Sequence, residues 1–320
     1  MTAPVAQRQP SRRYGELLVE IGRDHPDVVV LDAGLGSSMD TAGFQAAYPD
    51  RYVNLGIAEQ NAVGVAAGLA REGYTPMLHS FANFLARRAH DQIAVSVAWP
   101  GVPVKLIAGS CGLWDGRNGP SHTGYDDLAT VANLPGMFVA EPADQAQTRQ
   151  LLSDALAHPG PAYVRLRRHG MPRDVARRPL DGGTVVARQA PGRPACTLVA
   201  AGSMLAEALY AARLLGDGGT AVDLIGVSSL THADLGPVLE SAGRSGVVVV
   251  VENHAPHGGF ADLVAAAVSP LGHGLHRLTL PREFLPAGDP DWLLAHCGLS
   301  GPQLADRITT ILTARPLEAR

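Results

Sequence analysis

The segment Asn54-Leu55-Gly56-Ile57-Ala58-Glu59-Gln60-Asn61 sets one carboxylate ahead of a run, residues 62–70, that has no polar side chain. A helix apolar on every face is a buried one. The sequence therefore predicts a buried helix with Glu59 in its first turn, where an ionised carboxylate is costly unless something pairs with it. Two chemistries answer that cost. Glu59 can accept from free backbone N–H groups at the helix start and complement its dipole. Alternatively, burial holds its pKa high and it shares a proton with a ligand, as carboxylates in acid–base work do. A second constellation is Trp114-Asp115-Gly116-Arg117-Asn118-Gly119-Pro120-Ser121-His122. In a glycine-rich loop of this kind a neutral imidazole at His122 can donate and accept, which suits proton movement; a plain surface histidine is the other reading.

The elements that must position these residues alternate along the chain. Short apolar runs predict strands at 28–31, 52–55, 76–80, 104–108, 137–140 and 163–166, with helices between them, including 83–97 and 143–157. Alternation of this kind predicts an α/β domain with a parallel sheet covered on both faces. Residues 170–194 then break the pattern with Gly170-Met171-Pro172, Arg177-Arg178-Pro179, Gly182-Gly183 and Pro191-Gly192, and read as a linker. A second alternating unit follows, with strands at 196–200, 222–225 and 247–251 and helices at 204–215 and 233–242. The expected division is a first domain over 12–169, a linker over 170–194 and a second domain over 195–320.

Composition agrees. A chain of 320 residues with 46% hydrophobic content is ample for two cores. A formal charge of −4 with 18% charged residues argues against a nucleic-acid binder. Cys111, Cys196 and Cys297 have neither metal spacing nor a disulfide framework. Residues 1–11 lack the apolar core of a signal peptide, and no apolar run approaches a membrane span, so a soluble cytoplasmic protein is expected.

Gly56-Ile57-Ala58-Glu59-Gln60-Asn61 with its small-residue helix resembles the signature of the pyrimidine-binding domain of transketolase-like, thiamine diphosphate enzymes. Ser80-Phe81-Ala82-Asn83-Phe84, Asp91-Gln92, Gly119-Pro120-Ser121-His122 and Pro142-Ala143-Asp144 follow in that family's order and spacing. So do Ala201-Gly202-Ser203, Val251-Glu252-Asn253-His254 and Gly258-Gly259, and the likeness spans residues 12–313. Each motif alone is weak; the ordered set carries the resemblance. It implies two doubly wound parallel-sheet domains, a thiamine diphosphate pyrimidine-binding domain and a transketolase C-terminal-like domain.

The resemblance also implies roles. Glu59 would meet N1′ of the coenzyme's aminopyrimidine ring, and Phe81 and Phe84 would flank it, although Phe84 also reads as ordinary core. His122 would face the substrate hydroxyls, with Asn118 beside it, and Arg12, Ser38 and Arg168 would grip a sugar phosphate through charge-assisted bonds. The coenzyme carries the hard chemistry at a ketose carbonyl; the protein positions and polarises it. Four positions depart from the family pattern. Gly34 replaces an aspartate, Ala108 a phosphate-binding histidine, Asn118 an acidic residue and Arg87 a third aromatic.

A complete transketolase needs a further domain that binds the diphosphate through a metal, marked by Gly-Asp-Gly and an asparagine 25 to 30 residues on. Gly216-Asp217-Gly218 with Asn253 imitates that motif, but the spacing is too long and the tripeptide reads as a helix-ending turn. The expected protein is thus the C-terminal subunit of a two-component transketolase moving a two-carbon ketol unit between sugars. An N-terminal diphosphate-binding partner would complete an α2β2 heterotetramer and hold magnesium or calcium, with no metal ligand from this chain. The C-terminal domain would mediate self-association. Alternatives are a 2-oxoacid-decarboxylating acyl transferase subunit, resembling deoxyxylulose phosphate synthase or a 2-oxoacid dehydrogenase β subunit, and a degenerate assembly subunit.

Overall fold

Runs of valine and leucine become the inner strands, because a strand covered on both faces buries every side chain. The structure is a computed structural model that describes residues 14–167, 172, 175–176 and 179–314. Its first sheet holds β1 (Val28–Asp32), β2 (Tyr52–Asn54), β3 (Thr75–Phe81), β4 (Lys105–Gly109), β5 (Phe138–Ala140) and β6 (Ala162–Arg165), all parallel, in the order β2-β1-β3-β4-β6-β5. Val28 and Val30 pack into the core on one face, Val29 and Leu31 into the core on the other. Both cores continue through the second sheet, where Leu198 and Val249 join the first and Val199 and Val248 the second.

That second sheet has five strands in the order β11-β10-β8-β9-β7. They are β7 (Thr184–Arg188), β8 (Thr197–Ala201), β9 (Asp223–Val227), β10 (Val247–Val251) and β11 (Gly274–Leu278). All pairings are parallel except β7 with β9. The five-valine strand β10 is interior, between β8 and β11. Neither edge strand is predicted from the sequence. β7 lies within the Gly- and Pro-punctuated stretch 170–194, and β11 reads Gly-Leu-His-Arg-Leu with alternate residues exposed, so neither offers a continuous apolar run.

Three helical expectations have informative outcomes. The Glu59–Arg71 helix begins at Glu59, but it is not buried all round: Gln60, Asn61, Gly64 and Gly68 lie exposed along one stripe. The 83–97 region is helical, with widened π-type turns at Phe84–Arg88 and Ile93–Ala98. Gly216-Asp217-Gly218 is a helix-ending turn, with Gly218 at the C-cap of the Leu205–Asp217 helix. Among the described residues no helix is long and apolar enough to cross a membrane.

Candidate active site

In open α/β sheets the crevice for ligands opens at the carboxyl ends of strands where the winding reverses. Here the chain passes from β1 outward to β2 and then crosses to β3, so β1 and β3 flank that point. Phe81 is the last residue of β3, and the loop that begins at the end of β1 leads to Ser38. Glu59 arrives from β2 by a tight turn. The Gly56 backbone N–H donates to Asn54 Oδ1 at 2.9 Å, and Gly56 takes φ +68°, a conformation that glycine adopts at little cost.

Glu59 is 1% exposed. Its Oε2 accepts from Arg88 Nη1 at 2.8 Å, while Oε1 is buried with no hydrogen-bond partner. The carboxylate therefore answers to a side chain from the next helical segment rather than capping its own helix. Arg88 also lies over the Phe84 ring, its guanidinium carbon 4.4 Å from the centroid.

Phe81, Phe84 and His122 converge. The two phenyl centroids are 5.8 Å apart, and both rings meet the His122 imidazole nearly edge-on, at 5.9 and 5.4 Å. Phe81 is buried and Phe84 half-buried against the core, so the core reading of Phe84 and the pocket reading coexist. The His122 loop is pinned from below. Asn83 Nδ2 donates to the Ser121 carbonyl at 3.2 Å and the Pro120 carbonyl at 3.4 Å, and Ser121 Oγ lies 2.8 Å from His122 Nδ1. A Cβ on Gly124 would strike Ala82, so close approach of the loop to the aromatic segment requires glycine there.

The remaining predicted residues are dispersed. Asn118 is exposed at the end of the Gly112–Asn118 3-10 segment, four residues before His122. Ser38 is half-buried in the loop after β1, its N–H donating to the Leu35 carbonyl at 2.8 Å. Arg12 and Arg168 lie outside the described residues. Among the described residues no group of three or more His, Cys, Asp or Glu side chains is placed to hold a metal ion.

The departures acquire physical reasons. Gly34 adopts φ +80°, a conformation that favours glycine, and a Cβ there would press to 3.3 Å from the Gly56 carbonyl carbon and Ile57 Cγ1. Ala108 is fully buried in β4 opposite Ser80, part of the core rather than of any phosphate grip. Arg87 pairs with Asp126 at 2.7 Å and lies over Tyr125, 4.9 Å from its centroid. The sequence reading missed the parts played by Arg88 and Asn83. Its single available signal was the Ser80-Phe81-Ala82-Asn83-Phe84 motif, which names Asn83 without saying what it holds.

Comparison with known proteins places this site in a class. Residues 9–173 match the transketolase pyrimidine-binding domain, and residues 185–304 the transketolase C-terminal domain. The chain belongs to the transketolase family, whose members use thiamine diphosphate, and it is built as the C-terminal subunits of split transketolases are. It is 36% identical over 296 residues to the 6-deoxy-6-sulfo-D-fructose transketolase subunit SqwH of Clostridium sp. (strain MSTE9), covering 91% of this chain and 90% of that one. It is 33% identical to 1-deoxy-D-xylulose-5-phosphate synthase 2 of Geobacter sulfurreducens, covering 93% of this chain but spanning only 48% of the synthase. A solved structure described as a split gene transketolase, an inactive β4 tetramer, superposes with a TM-score of 0.84 at 37% identity, covering 94% of this chain and 97% of that one.

Proposed function

We propose that this chain is the pyrimidine-binding subunit of a two-component thiamine diphosphate-dependent transketolase that moves a two-carbon ketol unit between sugars. One observation carries the reading: Glu59 Oε1 is a buried acceptor with no donor. A lone buried acceptor is costly, and a ring nitrogen bearing a proton is the donor that would satisfy it. The residues around it fit the coenzyme's aminopyrimidine. Phe81 and Phe84 supply aromatic surface, and Ile57, 79% exposed two residues before Glu59, supplies an uncovered apolar side chain.

When bound, thiamine diphosphate would supply the electron sink for breaking a carbon–carbon bond next to a carbonyl. Glu59 would hold the proton of the ring nitrogen. His122, kept in place by Asn83 and Ser121, would exchange a proton with a substrate hydroxyl. Asn118 can hydrogen-bond a hydroxyl but cannot take its proton. Ser38, Arg12 and Arg168 would grip an anionic group at the far end of the sugar. The SqwH relative acts on a sulfonated sugar by its name, and a sulfonate or a phosphate suits arginine equally.

An uncovered helix face supports the need for a partner. Gly64 and Gly68 are exposed beside the site, and Val95 and the 83%-exposed Trp99 lie on the segment packed against that helix. An N-terminal diphosphate-binding subunit, holding magnesium or calcium, would cover this face in an α2β2 assembly. Self-association would run through the C-terminal domain, in the cytoplasm. The similar β4 tetramer described as inactive agrees with a chain that needs that partner.

Calorimetric titration of thiamine diphosphate with magnesium, into this chain alone and into the chain with its co-purified partner, tests the proposal. Binding only with the partner, followed by ketol transfer between anionic sugars, is the expected result. Release of carbon dioxide from a 2-oxoacid would select the acyl-transferase reading that the deoxyxylulose phosphate synthase relatives represent. Absence of binding in both titrations would leave a non-catalytic assembly subunit.

A further inference from the structure

We infer that Arg88 is a positioning residue for Glu59: it holds Oε2, so that Oε1 alone is presented to the coenzyme's ring nitrogen. The inference rests on the proposed thiamine diphosphate site and assigns a part to a residue that the sequence motifs leave without one. A carboxylate has two equivalent oxygens and rotates freely unless one is fixed. Here the Nη1–Oε2 contact of 2.8 Å fixes it, and the other oxygen keeps no partner.

The burial of the pair is lopsided. The Glu59 side chain is 1% exposed and that of Arg88 47% exposed. An ion pair with both members in water contributes little. With the acid wholly buried, the arginine is its single hydrogen-bonding partner among the described residues, and the cation keeps one side in solvent. The guanidinium meets a second group as well, its carbon lying over the Phe84 ring at 4.4 Å from the centroid. Phe84 in turn meets His122 at 5.4 Å. One cation thus touches the carboxylate and the aromatic wall together. It projects from the last residue of the Phe84–Arg88 π-type turn, a distortion that recurs at functional sites.

Either cation can donate to the carboxylate, whereas only arginine's planar fork can also lie on the ring, so lysine should keep the bond to Glu59 and lose only the ring contact. That difference provides the test. With the partner subunit present, the dissociation constant of thiamine diphosphate is measured by calorimetry for the wild type, Arg88→Met and Arg88→Lys, together with KM for the sugar donor. Loss of a charge-assisted hydrogen bond predicts weakening of coenzyme binding by roughly tenfold to a hundredfold in Arg88→Met. Substantial recovery in Arg88→Lys, and a sugar KM unchanged within about twofold, complete the expected pattern.

Wild-type coenzyme affinity in Arg88→Met, or equal losses in the Met and Lys variants, would overturn the role of Arg88 alone. A wild-type complex that takes up no coenzyme would overturn the functional reading, and this inference with it. Unfolding of the free chain separates a folding defect from a site defect. Arg88→Met is expected to unfold within a few degrees of the wild type, and coenzyme loss confined to a variant that is largely unfolded would also overturn the role.

Discussion

At the scale of single residues the decisive matter is where a buried carboxylate finds its donors. Glu59 takes Arg88 on one oxygen and leaves the other free. Glu59→Gln keeps the volume and still accepts from Arg88, but a carboxamide cannot hold and release the proton. The variant is expected to unfold within a few degrees of the wild type while coenzyme-dependent turnover with the partner falls on the order of a hundredfold or more. Turnover at the wild-type rate would discard the assigned role. Glu252 also keeps a buried Oε1 without a partner, but its Oε2 accepts from the Ala261 backbone N–H and not from a cation. Burial pushes its pKa up from the ordinary 4.5 to about 7, only partly offset by backbone N–H groups of Ala261 and Phe260. The folded state then binds the proton more tightly than the unfolded chain, so stability from this group is full below about pH 4.5 and declines as pH rises through 7. The whole span is worth about 3 kcal/mol at most. Urea unfolding at several pH values should show that decline, flattened in Glu252→Gln; an unchanged slope in the variant would place its origin elsewhere.

Elements carry the next level of the argument, and the Glu59–Arg71 helix is the clearest case. Its composition predicts burial on every side, yet Gly64 and Gly68 are exposed, with nothing within 4 Å of a Cβ built on either. A leucine at Gly68 therefore fits the lone chain and removes a glycine from a helix interior, a gain of about 1 kcal/mol. The same side chain would stand between this helix and any subunit packed closely on it. Gly68→Leu is expected to raise the unfolding temperature of the isolated chain slightly and to prevent co-sedimentation with the partner. Normal assembly of the variant would move the partner to another face. The helix also shows what is legible in sequence. Strands that are buried on both faces announce themselves as apolar runs, and β1, β3, β4 and β10 appear within a residue or so of their expected bounds. The edge strands β7 and β11 do not, because a half-exposed strand has no such run. Local motifs bring out Glu59, Phe81, Phe84 and His122, three of which meet in space. Arg88 and Asn83 escape, since their partners lie 29 and 38 residues away and only the folded sheet makes them neighbours.

At the scale of the whole molecule, one buried cation links the two domains beside their shared apolar cores. Arg165, at the end of β6, donates to Asp127 at 3.0 and 3.1 Å, pairs with Glu141, and reaches the Asn253 carbonyl of the second domain at 3.4 Å. Glu141 in turn accepts from the Ser203 backbone N–H at 3.2 Å and from its hydroxyl, and Trp114 Nε1 donates to Ser203 Oγ at 2.7 Å. Leu113 N–H donates to Asn253 Oδ1 at 2.9 Å, so the segment leading to Asn118 and His122 is fastened to the C-terminal domain from both sides. The segment before His122 is thus tied to the domain that contributes none of the predicted site residues. Arg165→Met preserves much of the bulk but leaves two buried carboxylates, Asp127 and Glu141, without their cation. Breaking a buried pair by removing one partner typically costs about 3–5 kcal/mol, and here two anions lose the same cation. The unfolding free energy measured in urea should fall by that amount, and a second substitution, Glu141→Gln, should recover part of it by removing one stranded charge. A loss under about 1 kcal/mol in Arg165→Met would mean that the carboxylates find protons or water cheaply, and that apolar packing rather than this network holds the two sheets together.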